Sequence, residues 1–325
     1  MAAILGFGGY VPERIVTNDD WATRLDTSDE WITQRTGIKR RRFAAEDQAT
    51  LDLALEASRK ALADAGLEPA DLDEIVLATD TPEYLTPDTA ALVQHSLGCR
   101  NIPTYDLGGS GCAGFIQALD VAASRVATGV RHILVIGVEV ITRLISLEDR
   151  TTAVLFGDGA GAVVLGHGPG RAEVLGAVSG TDGSAAGILT LAAGGTRNPF
   201  NERTLANGDF NRLVMDGKKV FTEAVKRMSE ASMQVLEKVG RSLSEVKLVI
   251  PHQANRRIID AVAHRLGIAE DRVYVNVHEY GNIGSATVPF ALWEAVGAGR
   301  VGAGDLVVLT AFGAGFHWGA AALQF

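Results

Sequence analysis

Short continuous apolar runs alternate along the chain with longer stretches of helical spacing. The runs Ile75-Val76-Leu77-Ala78-Thr79, Ile133-Leu134-Val135-Ile136-Gly137, Ala162-Val163-Val164-Leu165, Lys247-Leu248-Val249-Ile250-Pro251 and Val273-Tyr274-Val275-Asn276-Val277 read as buried strands. Leu51 to Ala65, closed by Gly66, is spaced as an amphipathic helix, and Asp88 to Leu97 and Val220 to Val239 are further helices. Thr27-Ser28-Asp29-Glu30 supplies an N-cap before Trp31-Ile32. Met1 to Thr17 is a glycine-interrupted strand and loop, and a loop-rich stretch runs to Asn211. Alternating strands and helices predict an α/β fold.

The pattern then repeats. Val174-Leu175-Gly176-Ala177-Val178 echoes the opening strand, and Gly240 falls on Gly66 when the chain is shifted by 174 residues. The same shift lays Val249-Ile250 on Ile75-Val76, Ser285-Ala286-Thr287 on Gly111-Cys112-Ala113, and Val307-Val308-Leu309 on Ile133-Leu134-Val135. Three strands and a helix start in one register predict an internal duplication. The two halves are expected at 1–168 and 169–325, meeting near Gly166 to Gly170.

Composition narrows the class of function. Of 325 residues, 47% are apolar and 21% charged, as in ordinary globular proteins, and the net charge of −9 argues against broad nucleic-acid binding. No apolar run approaches the length of a membrane span. Met1 to Gly6 has no basic residue before its apolar ones, so no secretory signal is expected and the location is expected to be cytoplasmic. Two cysteines, Cys99 and Cys112, fit a reducing compartment, Cys99 reads as structural, and neither lies in a metal-ligand spacing.

Candidate chemistry centres on Leu107-Gly108-Gly109-Ser110-Gly111-Cys112-Ala113-Gly114-Phe115. An extended run before it and a helical pattern after it put Cys112 at a helix N-terminus, where the dipole favours thiolate. Gly109 to Gly114 also spells G-x-G-x-x-G, the dinucleotide fingerprint. That reading needs an acid at the end of the next strand, about 20 residues on. The region Arg125 to Arg131 supplies none, the next acid being Glu139, and an oxidoreductase is rejected. In alternating βα units, ligand groups gather beyond the carboxyl ends of strands. His252-Gln253-Ala254-Asn255 follows one such strand, and the loop carrying Asn282 follows another. A pseudo-twofold arrangement would bring Cys112, His252 and Asn282 together.

Six segments in order complete the picture: Asp-Thr-Ser-Asp-Glu-Trp-Ile at 26–32, Arg-Thr-Gly-Ile at 35–38, Gly-Cys-Ala-Gly-Phe at 111–115, Phe-Gly-Asp-Gly-Ala-Gly at 156–161, Pro-His-Gln-Ala-Asn at 251–255 and Phe-Gly-Ala-Gly-Phe at 312–316. Together they resemble the β-ketoacyl-acyl-carrier-protein synthase III family, the initiating condensing enzymes of bacterial type II fatty acid synthesis. The resemblance covers essentially the whole chain. It implies a thiolase-like fold of five layers, αβαβα, and a homodimer. It also implies two reactions: acyl transfer from acyl-CoA to Cys112, then decarboxylative condensation with malonyl-acyl-carrier-protein. Coenzyme A enters as a thioester substrate, with no bound cofactor and no metal.

Carried over by position, the resemblance makes His252 and Asn282 the donors to the enolate oxygen. The backbone N–H groups of Cys112 and Ala314 receive the acyl oxyanion. Trp31 resembles the residue that stacks on adenine, with Arg35 and Arg150 near the phosphates, and Gly217 and Asn255 match the pantetheine tunnel. Arg257 and Arg265, eight apart on one helix face, suit docking of an acidic carrier protein. Thr86 and Phe312 fall at the acyl pocket. Relatives often carry phenylalanine at the position of Thr86, closing the neighbouring subunit's pocket, so threonine predicts tolerance of branched or medium primers. The common Asn-Thr-Ser is Asn282-Ile283-Gly284-Ser285 here. A related acyltransferase of a secondary-metabolite pathway would share the same three residues, and a catalytically dead partner subunit would have no reason to carry them together.

Overall fold

The computed structural model describes residues 1–325. Its strands are β1 (Ala2–Tyr10), β2 (Glu74–Ala78), β3 (Thr104–Leu107), β4 (His132–Val140), β5 (Asp158–His167), β6 (Ala172–Thr181), β7 (Val246–Pro251), β8 (Leu306–Gly313) and β9 (His317–Gln324), besides short two-stranded ribbons. The main helices are α1 (Asp29–Thr36), α2 (Thr50–Ala65), α3 (Thr89–Leu97), α4 (Gly114–Ala127), α5 (Gly217–Lys238), α6 (Arg256–Leu266) and α7 (Thr287–Gly297). Caps fix several of their ends. Ser28 accepts the Trp31 N–H at the start of α1, and Gly66 closes α2 in a left-handed conformation that costs glycine nothing. Asp216 caps α5 four residues before the apolar spacing begins at Val220, accepting the Lys219 N–H.

The nine strands run β7-β8-β9-β6-β1-β5-β4-β2-β3 across one continuous sheet. The first five strands stand in the order 3-2-4-5-1. The remaining four repeat it as 2-4-5-1, with the third place nearly empty. Directions repeat as well. β2 is parallel to β4 and β7 to β8, while β4–β5 and β8–β9 are antiparallel. The two sets join where Ala3 and Ile4 of β1 pair with Glu173 and Ala172 of β6.

Side-chain alternation on the strands builds the layers. Ile75 and Leu77, with Leu134 and Ile136, face α2 and α3 on one side. Val76 and Ala78, with Ile133 and Val135, face the opposite way onto α4 and α7, and Leu248, Ile250, Val307 and Leu309 of the other half close on the same two helices. Val249 and Val308 point outward again to α5 and α6. The result is the expected thiolase-like αβαβα stack, with α4 and α7 between the two halves. No helix is long and apolar enough to cross a membrane.

Two expectations are corrected. The strand foreseen at Val273 to Val277 shrinks to one parallel bridge, Val249 to Val273, and a short helical turn begins at Val277. The buried Gln253 side chain takes over the missing ladder: Nε2 donates to the Tyr274 carbonyl, and Oε1 accepts the N–H groups of Asn276 and Val277. The repeat register also slips by one at the central helices. The turn Gly111–Ala113 before α4 matches Gly284–Ala286 before α7, so Cys112 corresponds to Ser285 rather than Ala286. Gly111 (φ 53°) and Gly284 (φ 58°) mark the true register, because both turns need left-handed backbone there.

Candidate active site

The Cys112 turn is wedged against the strand end at Gly313. A β-carbon on Gly111 would overlap the Ala314 nitrogen, and one on Gly313 would overlap the Cys112 nitrogen. The two glycines therefore bring the main-chain N–H groups of Cys112 and Ala314 side by side, and neither donates to a protein acceptor. Such a pair of free donors suits an oxyanion.

His252 sits just past β7, its N–H donating to the Thr310 carbonyl at 2.8 Å. Its ring is buried, with Nδ1 2.5 Å from Thr287 Oγ1 and no protein partner at Nε2. Burial alone lowers the imidazole to about 3, so the ring is neutral. Asn282 enters from a loop held by its own N–H donating to the Leu155 carbonyl. The Gly284 N–H donates to its Oδ1 at 2.9 Å, which leaves the amide NH2 free. The Cys112 thiol lies 3.9 Å from the same Oδ1.

One cavity of about 1610 Å³ joins these groups. Cys112, His252, Asn282, Ala314 and Phe312 line it, as do Trp31, Arg35, Gly217, Asn255 and Arg257. Of these, Phe312 is buried and packs on Phe316 at 4.7 Å between ring centroids. The guanidinium groups of Arg35 and Arg150 each lie 4.9 Å from the centroid of the Trp31 indole. Arg150 also donates to the Asp26 carbonyl at 2.5 Å. Asn255 caps α6 by accepting the Arg257 N–H and donates through Nδ2 to the Arg35 carbonyl, tying α6 to α1.

Not every expected residue gathers there. Arg265 lies on α6 away from the cavity and pairs with Glu230 at 3.4 Å. Thr86 is exposed and does not line the chain's own cavity, although its neighbours Tyr84 and Leu85 do. The expected easing of Cys112 toward thiolate is reversed. Burial first, then the carboxyl groups of Asp80 and Glu139, push the thiol well above its ordinary value. Only a short turn precedes α4, so the sulfur sits before the helix proper begins.

Asp80 and Glu139 escaped the sequence reading of the site. Glu139 is the one acid in the apolar run of β4, and that was its only signal. Its carboxyl meets Ser285 Oγ at 2.9 Å, Thr81 Oγ1 at 2.8 Å and the Asp80 N–H at 3.2 Å. Burial and the mutual proximity of the two acids raise Glu139, and burial raises Asp80. No group of three or more His, Cys, Asp or Glu side chains is placed to hold a metal ion.

Comparison with known proteins adds to this geometry. The families described as 3-Oxoacyl-[acyl-carrier-protein (ACP)] synthase III and its C-terminal part match residues 105–183 and 236–325. A β-ketoacyl-[acyl-carrier-protein] synthase III of Symbiobacterium thermophilum is 47% identical, covering 99% of this chain and 97% of the relative. The enzyme of the same name from Caldanaerobacter subterraneus is 46% identical over 99% of this chain and 97% of its own. The crystal structure of the Thermus thermophilus synthase III superposes with a TM-score of 0.92 at 45% identity, covering 99% of both chains.

Proposed function

The chain belongs to the β-ketoacyl-acyl-carrier-protein synthase III family, and on that premise we propose that Cys112, His252 and Asn282 carry its two half-reactions. As a member it is an acyltransferase, the initiating condensing enzyme of fatty acid synthesis. Cys112 Sγ attacks the carbonyl carbon of acyl-CoA, and the N–H groups of Cys112 and Ala314 receive the developing oxyanion. Coenzyme A leaves, and the acyl group stays on sulfur.

Malonyl-carrier protein then enters the same cavity. Its thioester oxygen is held by the free NH2 of Asn282 and by His252 Nε2–H while CO2 departs, and the carbanion attacks the acyl carbon. Each donor of this kind is worth about 3 kcal/mol at the transition state. The observation that carries the reading is the convergence on one cavity of a thiol, an imidazole, a carboxamide and two unused main-chain donors.

Trp31, with Arg35 and Arg150, offers a flat surface and two planar cations, suited to adenine and phosphate of coenzyme A. Gly217 and Asn255 border the path inward for pantetheine. Arg257 and Arg265 would meet the acidic carrier protein. We read the chain as a cytoplasmic homodimer of two-half subunits, divided at 168 and 169, without metal or bound cofactor. Thr86, exposed on each subunit, would face the partner's acyl pocket and leave room for branched or medium primers, with Phe312 forming an inner wall. A panel of acyl-CoAs yielding product with acetyl-CoA alone would refute the last point. Intact-mass measurement tests the core: an acyl adduct is expected on Cys112 after incubation with acyl-CoA and none in Cys112→Ser.

A further inference from the structure

Four cations stand in a row at Lys39-Arg40-Arg41-Arg42. The last three open the short strand Arg40–Phe43, where side chains alternate between outside and inside. Lys39 and Arg40 are exposed, Arg40 pairing with Glu279 at 2.8 Å, and Arg42 is half-buried against the Pro12 and Glu13 carbonyls. Arg41 turns inward, and none of its surface is exposed. Its guanidinium meets neutral acceptors only: Nη1 donates to Asn18 Oδ1 at 2.8 Å and to the Val16 carbonyl at 3.3 Å, and Nη2 donates to the Val154 carbonyl at 2.6 Å. Burial draws the group down to about 10, so it stays charged at neutral pH. A buried cation with neutral partners costs stability that a packed apolar side chain would not. What only arginine brings to such a place is several donors in one rigid plane.

The Val154 contact shows what that plane of donors holds. Val154 begins the segment 154–157, and Asn282 is paired with this segment as a strand residue would be. The Asn282 N–H donates to the Leu155 carbonyl at 2.9 Å, the Gly157 N–H donates to the Asn282 carbonyl at 3.0 Å, and Phe156 bridges Asn282 in parallel. Both segments close on the stem of Arg41. A β-carbon on Gly157 would lie 3.1 Å from Arg41 Cβ, and one on Gly281 would lie 3.4 Å from it.

We propose that Arg41 is a positioning residue for Asn282: it anchors the segment 154–157, and through that segment it keeps the carboxamide NH2 aimed into the cavity for condensation. This rests on the role proposed above for Asn282. The Gly284 N–H already fixes the rotation of the carboxamide by donating to its Oδ1. What remains to be fixed is where the loop itself sits, and its main-chain partners are residues 155 and 157. Arg41 reaches them through the Val154 carbonyl from behind, and ties them to Val16 and Asn18. The main-chain donors Cys112 and Ala314 are held separately, by the close approach of Gly111 and Gly313. Loosening Arg41 should therefore disturb condensation and spare acylation.

Measuring the two half-reactions apart tests this. Arg41→Met keeps an unbranched side chain and loses every donor. Decarboxylation of malonyl-carrier protein should slow about tenfold or more, because a misplaced donor forfeits most of its effect. Formation of the Cys112 adduct from acyl-CoA should stay within about twofold of wild type. Arg41→Lys keeps the charge and a single donor group, and decarboxylation should fall about threefold. Should Arg41→Met not fold, the lysine variant carries the same test at smaller amplitude. Hydrogen exchange read by mass spectrometry is independent of activity: peptides covering 154–157 and 281–284 should exchange faster in either variant, while the peptide covering 110–115 keeps its wild-type rate. Parallel slowing of both half-reactions, undiminished decarboxylation, or faster exchange in all three peptides alike overturns the proposal. Asn282→Ala tests the premise separately. Full decarboxylation in that variant would remove Asn282 as the donor, and the exchange pattern of the Arg41 variants would still decide whether the arginine anchors 154–157.

Discussion

The turns Gly111-Cys112-Ala113-Gly114 and Gly284-Ser285-Ala286-Thr287 are copies of one backbone device. Each begins on a left-handed glycine, makes a short turn and feeds a helix that lies between the two halves. Their surroundings differ. The first turn faces the cavity, and its sulfur and the Cys112 N–H have no main-chain acceptor, whereas the Ala113 and Gly114 N–H groups close the turn on Ser110 and Gly111. The second is sealed: the Ser285 hydroxyl lies 3.0 Å from the Ala78 carbonyl and 2.9 Å from Glu139 Oε1, and Thr287 closes on His252. Duplication thus supplies one geometry twice, and the packing against it decides which copy reacts and which copy holds the other's partners.

Moving the thiol is the strongest way to break this contrast. Cys112→Ala should lower product formation by about 10³-fold or more. Adding Ser285→Cys puts a thiol on the equivalent turn, yet no acyl adduct is expected there, because residue 285 does not reach the cavity. Peptide mapping after acyl-CoA treatment locates any adduct, and acylation at residue 285 would show that the two turns are interchangeable.

Alanine at the two leading glycines sharpens the comparison. Left-handed backbone costs a non-glycine residue roughly 1–2 kcal/mol in either copy. At Gly111 the new methyl also strikes the main chain of Gly313 and Ala314, which cannot swing aside. At Gly284 it meets the side chains of Glu139 and Ile141, which yield more readily than main chain although the Glu139 carboxyl is hydrogen-bonded. Gly111→Ala should therefore cost about 3 kcal/mol or more and Gly284→Ala about 2 kcal/mol, read from denaturant midpoints. Equal losses would mean that the first turn is not clamped as described.

The halves should also titrate in opposite senses. His252 is held below its ordinary 6.5, so between that value and about 3 the unfolded chain binds the extra proton. Its contribution is complete above pH 6.5 and is lost as pH falls. Glu139 is held above its ordinary 4.5, so there the folded chain binds the extra proton, and stability is lost as pH rises past that value. Melting curves against pH should show His252→Gln flattening the acid limb and Glu139→Gln flattening the fall toward neutral pH, each by on the order of 2 kcal/mol. A Glu139→Gln curve parallel to wild type would place the carboxylate's charge elsewhere.

Much of this was legible in the sequence wherever a signal was local. Four of the five apolar runs became strands, glycines marked helix ends, and Cys112, His252 and Asn282 stood at loop positions after strands. Interactions between distant segments were not legible. Gln253 replaces a strand's ladder through its side chain, which no periodicity reveals. Burial first, and then Asp80 and Glu139 brought up from two other strand ends, reverse the effect expected of a helix start at Cys112. Thr287 looks like a helix residue until the fold puts His252 against it.

The smallest expected effect separates the two arginines of α6. Both are exposed, and both were read as docking cations. Arg265 already spends its charge on Glu230, whereas Arg257 has no ion pair and lies over the Phe221 ring at the cavity. An exposed pair nearly cancels at a distance, so Arg265 projects little attraction toward an acidic partner, and Arg257 projects its full charge. Reversal of charge at Arg257 should raise KM for malonyl-carrier protein by about fivefold at low salt, and Arg265→Glu by about twofold. Added salt should shrink both differences, since charges at the rim act through a screened field. A larger effect at Arg265 would put the carrier protein on the far end of α6, away from the channel that its pantetheine must enter.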